Sequence, residues 1–151
     1  MNRSRGSWAF WQWKINSRDS VIAAVRWLQM RLTARIHNHP EIRRAMLCTA
    51  DDGCYIFLYE TLEDGSCAYD HLQEDIAIAK LQCLEDYGIP EDGWTQIPDL
   101  TPGCQQDWID PVRVAGRSEG NPRWGEFERL VDGHWLPIAT EQSDEREPSY
   151  P

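Results

Sequence analysis

Chemistry in this chain would have to come from a few scattered groups. The carboxylates Asp99, Asp107 and Asp110 cluster around Trp108, and such a group could supply an acid and a base or hold a cation. The same DWIDP stretch has a structural use, because Asp107 and Asp110 can accept from local backbone N–H groups while Trp108 plugs a core. Together with Arg113, the residues Asp107, Trp108 and Asp110 outline a candidate ligand pocket in the 99–113 loop. Arg113, Arg117 and Arg123 flank the Asn121-Pro122 turn and either hold an anion or pair with nearby carboxylates. His37 and His39 form an HxH pair, which offers two metal ligands on one side of a strand but not on a helix. His71 and His134 stand alone. Cys48, Cys54, Cys67, Cys83 and Cys104 are odd in number and irregular in spacing, with no CxxC, so neither a zinc knuckle nor a redox pair is supported. There is no GxGxxG, P-loop, nucleophile elbow or HExxH. No catalytic residue, metal site or cofactor is therefore assigned, although missing motifs argue against the common cofactor enzymes only.

Composition narrows the classes further. The chain of 151 residues is 41% hydrophobic and 26% charged, which fits one soluble domain with tails. No apolar run approaches the roughly 20 residues that span a bilayer. Cysteine usage without a secretory signal fits reduced thiols and a cytoplasmic location, with a single disulfide left open. Eight tryptophans are expected mainly in the core. The net charge of −10 conceals a split: nine basic residues against two acidic ones through Leu47 give +7, leaving −17 for the remainder.

Residues 1–47 are expected to be a basic amphipathic extension. Asp19 caps a helix in which Val21, Val25, Leu28, Leu32 and Ile36 share a face, and His39-Pro40 ends it. Three readings stay open: a helix packed on the acidic body, a transit or membrane-surface segment, or an over-extended gene start with translation beginning at Met46. Residues 48–139 read as an acidic α+β domain of order β-α-β-β-β, a mostly antiparallel sheet with one helix on a face. CYIFLYE is a strand; Asp70 caps a helix to Tyr87, with Leu72, Ile76, Ala79 and Cys83 inward and Gly88 as a left-handed cap. WTQI and Pro111–Val114 are short strands, and Trp124–Val131 pairs with His134–Ile138 across Asp132-Gly133. Gly125, between two aromatics, suggests a bulge or a close backbone approach. Residues 140–151 are expected to be disordered.

The stretch YIFLYETLEDGSCAYDHLQEDIAIAKLQCLEDYGI, continued through CQQDWIDPVRVAGR and GNPRWGEFERLVDGHW, resembles a group of short uncharacterised acidic bacterial proteins. The resemblance runs from about Cys54 to Ile138 and carries no activity with it. In size, charge and architecture the chain is also similar in style to toxin-immunity proteins, which implies binding to a basic toxin domain. The acidic residues give the same direction independently, since a field of that sign repels nucleic acid and accelerates encounter with a basic protein. The expected function is thus non-enzymatic docking of a basic partner through Glu63, Asp64, Glu74, Asp75, Glu85 and Asp86. The rival is an enzyme or small-ligand binder using the 99–113 loop.

Overall fold

The computed structural model describes residues 29–139. Within them, β1 (Arg31–Arg35), β2 (Arg44–Ala50), β3 (Gly53–Tyr59), β4 (Tyr69–Gln73) and β5 (Thr95–Gln96) form one antiparallel sheet in the order β4-β3-β2-β1-β5. A second antiparallel sheet is the meander β6 (Val112–Val114), β7 (Phe127–Val131) and β8 (His134–Pro137). Helix α1 (Ile76–Tyr87) lies on one face of the large sheet. The α+β class with one main helix and antiparallel pairing is as expected. No helix among the described residues is long and apolar enough to cross a membrane.

Strand alternation divides the core in two. Leu32, Ala34, Ala45, Leu47, Cys54, Ile56 and Leu58 face α1, where they meet Ala79, Cys83 and Ile89. Met46, Cys48, Phe57 and Tyr59 face the other way and are covered by Ile97 and Ile109 from the 97–111 segment. Both faces of β2 and β3 are therefore dry, which explains their nearly continuous apolar sequences.

The expected helix over residues 21–36 is corrected where it enters the described region, because Arg31–Arg35 is strand β1. Leu32 and Ile36 are four residues apart, a spacing shared by one helix face and by alternate strand positions. Ala34 between them is buried as well, so the period is two. Val21, Val25 and Leu28 lie outside the described residues, as does the 140–151 tail. The boundary expected at Cys48 falls inside β2, so residues 31–47 belong to the sheet rather than to an appended extension.

A similar ambiguity displaced the start of the helix. Leu72 and Ile76 fit a helical spacing, yet Tyr69–Gln73 pairs with β3 as an edge strand, and Asp75, not Asp70, is the cap. Its carboxylate accepts from the Ile78 N–H at 2.9 Å. At the other end Gly88 takes φ +68°, and its N–H bonds the Leu84 carbonyl at 3.0 Å, the left-handed termination expected there. Gly125 is also corrected: it sits in a turn before β7 with φ +89° and open space around it, which leaves Trp124 77% exposed. Of the four described tryptophans only Trp108 is buried.

Strand β1 lies in the interior of the sheet, between β2 and β5. A chain beginning at Met46 would lack it, together with the first two residues of β2, and would expose the α1-facing core. Such a 46–151 chain is expected to show no cooperative thermal transition by circular dichroism, whereas the full chain shows one.

Candidate functional site

The residues singled out for docking fall into three places. Glu74 and Asp75 stand at the start of α1, Glu85 and Asp86 near its end, all four exposed. Glu63 and Asp64 lie on the other side of the sheet, against the 97–111 segment. Asp64 has a structural task there, as its two carboxylate oxygens accept from the N–H groups of Ile109 and Asp110, each at 2.8 Å. Glu63 contributes its main-chain carbonyl, 3.2 Å from Nη2 of Arg44.

The four residues of the 99–113 candidate pocket do not converge on one cleft. Asp107 is tied down twice: Oδ2 accepts from the Cys67 N–H at 3.0 Å, and its carbonyl accepts from the Tyr59 hydroxyl. Trp108 is buried, its ring 6.1 Å from that of Phe127, and its carbonyl accepts from Arg31. Asp110 faces Arg129 at 3.7 Å. Arg113 pairs with Glu128 at 3.1 Å and lies 3.9 Å from the centroid of the Trp135 ring. Asp107 and Asp110 border separate cavities of about 330 and 270 Å³. The three turn arginines also diverge in function, since Arg123 pairs with Glu126 at 2.7 Å while Arg117 borders the cavity beside Asp107.

The histidines are similarly dispersed. His39 Nδ1 accepts from the N–H groups of Ile42 at 2.9 Å and Glu41 at 3.2 Å, closing the β1–β2 connection, and its ring meets Tyr87 edge-on at 5.4 Å. His37 is exposed at the rim of another cavity, described below. His71 is in β4 and His134 in β8.

All five cysteines are free thiols. Burial pushes Cys54 and Cys67 up to about 11 and Cys83 up to about 12, from an ordinary 9.0. Cys48 and Cys104 are also raised, chiefly by burial. At neutral pH these groups are weak nucleophiles, since the thiolate is the reactive form.

Two features were not found from the sequence. The first is on α1, whose inward residues Ala79 and Cys83 are buried while Ala77, Ile78, Leu81 and Leu84 are apolar and exposed on the outward side. Leu81 is 54% and Leu84 49% exposed. A groove of about 460 Å³ runs beside them, closed by Ile76, Ile89 and the Lys80–Glu91 ion pair at 2.6 Å. A helix apolar on both sides is a sign of a second covered face, and IAIAKLQCL carried that signal. The second is a pair of sheet arginines, Arg35 and Arg44, visible only once residues 31–50 are read as strands. Searches against family models, curated proteins and solved structures found no match to the chain.

Two outcomes follow from these contacts. Asp64→Ala is expected to lower stability by about 2 kcal/mol through loss of two charge-assisted hydrogen bonds, against about 1 kcal/mol for Asp75→Ala at the helix cap; urea unfolding of both variants checks the order. Thiols whose native pKa lies above the unfolded value stabilise the fold fully below about pH 9. That contribution is lost as pH rises from about 9 toward 12, so urea midpoints measured across this range should fall steadily, and Cys83→Ala should flatten the decline.

Proposed function

We propose that this protein acts without catalysis, by docking a basic amphipathic helix of a partner protein along the outward side of α1. The observation that carries the reading is the exposed apolar row Ala77, Ile78, Leu81 and Leu84 on the longest element of the fold, with carboxylates at both of its ends. Burying such a row stabilises a complex at roughly 25 cal/mol per Å² of apolar surface, before the costs of association are subtracted. An exposed apolar stripe of this kind is the usual platform for a helix laid into a groove.

Charge complementarity selects the occupant. Glu74 and Asp75 at one end, and Glu85 and Asp86 at the other, frame the row with negative charge, while Lys80 and Glu91 neutralise each other. Lysines and arginines flanking an apolar helix face would meet these carboxylates, speeding encounter and fixing orientation. An inhibitor or immunity protein works in this way, blocking a basic target by covering it. Relative to the expected surface, Glu63 and Asp64 drop out, because they serve the opposite face, and the apolar row enters.

The test is retention of proteins from the source cell by the full chain at low and high salt, beside two double variants of unchanged melting temperature: Leu81→Ser with Leu84→Ser, and Glu85→Lys with Asp86→Lys. A basic protein retained at low salt, released at high salt and lost with both variants supports the reading. Retention indifferent to both pairs overturns it. So does a concentration-dependent dimer abolished by the serine pair, or cross-linking of residues 1–28 to α1, since each places another occupant on the row.

A further inference from the structure

On the sheet face away from α1, Arg35 of β1 stands directly opposite Arg44 of β2. Cross-strand neighbours of like charge destabilise a sheet, and no acid among the described residues pairs with either of these. Neither guanidinium makes an ion pair among the described residues, although the chain holds 25 carboxylates. Arg44 is only 4% exposed. Its guanidinium lies 3.6 Å from the centroid of the Tyr59 ring, and Nη2 donates to the Glu63 carbonyl. Nε and Nη1 are buried with no acceptor among the described residues. A buried guanidinium left in this state is costly.

Both arginines border a cavity of about 580 Å³ at the edge of the sheet, within the size range of small-ligand sites. It opens where β1 continues past the two-residue β5, so that Ala34 and Arg35 have no strand beside them on that edge. His37, Asn38 and Thr95 add polar groups, Leu62, Ile89 and Ile109 add apolar wall, and no carboxylate among the described residues lines the space. In an acidic protein this is a cationic notch with an oily side.

We propose that this cavity is a binding site for a small organic oxyanion, a carboxylate or phosphate ester carrying an apolar body. The oxyanion bridges Arg35 and Arg44, removing their repulsion. The apolar body rests against Leu62, Ile89 and Ile109. The site shares Ile89 with the groove beside α1, but none of the docking row Ala77, Ile78, Leu81 and Leu84 borders it.

The experiment is calorimetric titration and thermal shift of the full chain with inorganic phosphate, phenyl phosphate and benzoate, and with benzyl alcohol as the uncharged control. Saturable binding of phenyl phosphate or benzoate, tighter than that of inorganic phosphate and absent for benzyl alcohol, is expected. Arg35→Gln and Arg44→Gln should each weaken it about tenfold or more, the size of one lost charged hydrogen bond, while Arg117→Gln should not. Because Arg35 is exposed, Arg35→Gln tests the site even if Arg44→Gln fails to fold, and without ligand it should melt above the parent protein. No saturable anion binding, unchanged affinity in Arg35→Gln, or equal affinity for inorganic and phenyl phosphate would each overturn the proposal.

Discussion

One buried cation organises the half of the molecule that faces away from the helix. Arg31, 2% exposed, points from β1 into the 97–111 segment and meets no carboxylate there. Its Nη1 donates to the Pro98 carbonyl at 3.0 Å, and its Nη2 donates to the carbonyls of Gln106 and Trp108. A charge taken out of water is tolerated only where acceptors surround it, and an irregular segment is tolerated over a core only where its polar groups are satisfied. Each requirement answers the other. The segment gives Arg31 its acceptors, and Arg31, with Tyr59, Asp64 and the Cys67 N–H, takes up the polar groups that the segment would otherwise bury unpaired. Met46, Phe57 and Tyr59 are covered as a result, and the sheet has two dry faces instead of one.

Seen this way, the large sheet separates two kinds of surface. Its helical side offers carbon framed by carboxylates; the far side carries three arginines, Arg31 at one end of β1 and, at the other, Arg35 opposite Arg44 of β2. Arg31 is answered by carbonyls, Arg44 by a ring face and a single carbonyl, and Arg35 by no ion-pair partner among the described residues. The overall charge of −10 says nothing of this arrangement, because Arg35 and Arg44 are drawn together by strand register.

What could be read in the sequence was whatever local pattern decides by itself. The β3 strand, the Gly88 cap, the inward positions of Ala79 and Cys83 and the Asp132-Gly133 hairpin all rest on spacing or on a glycine with one use. Strand β1 was hidden because residues four apart satisfy helix and strand periods alike, as Leu32 with Ile36, and β4 because an edge strand exposed over residues 69–72 has no buried alternation to reveal it. The acidic residues were legible as charge but not as surface: both carboxylate oxygens of Asp64 are spent on N–H groups at 2.8 Å, and only the fold separates such a carboxylate from free ones. The DWIDP stretch followed its structural reading, with Trp108 as a plug, and Asp107 and Asp110 held apart.

That plug also determines how the molecule comes apart. No strand of the β6-β7-β8 meander is hydrogen-bonded to the large sheet. The two are joined through the 97–111 segment, by Trp108 against Phe127, the Asp110–Arg129 pair and the bonds between Gln105 and Val112 and between Leu130 and Pro111. A layer that shares no ladder with the sheet and joins it through one irregular segment opens as a unit at lower free energy than the sheet beneath it. Amide protons of β7 and β8 therefore exchange through detachment of the meander alone, while those of β2 and β3 wait for global unfolding.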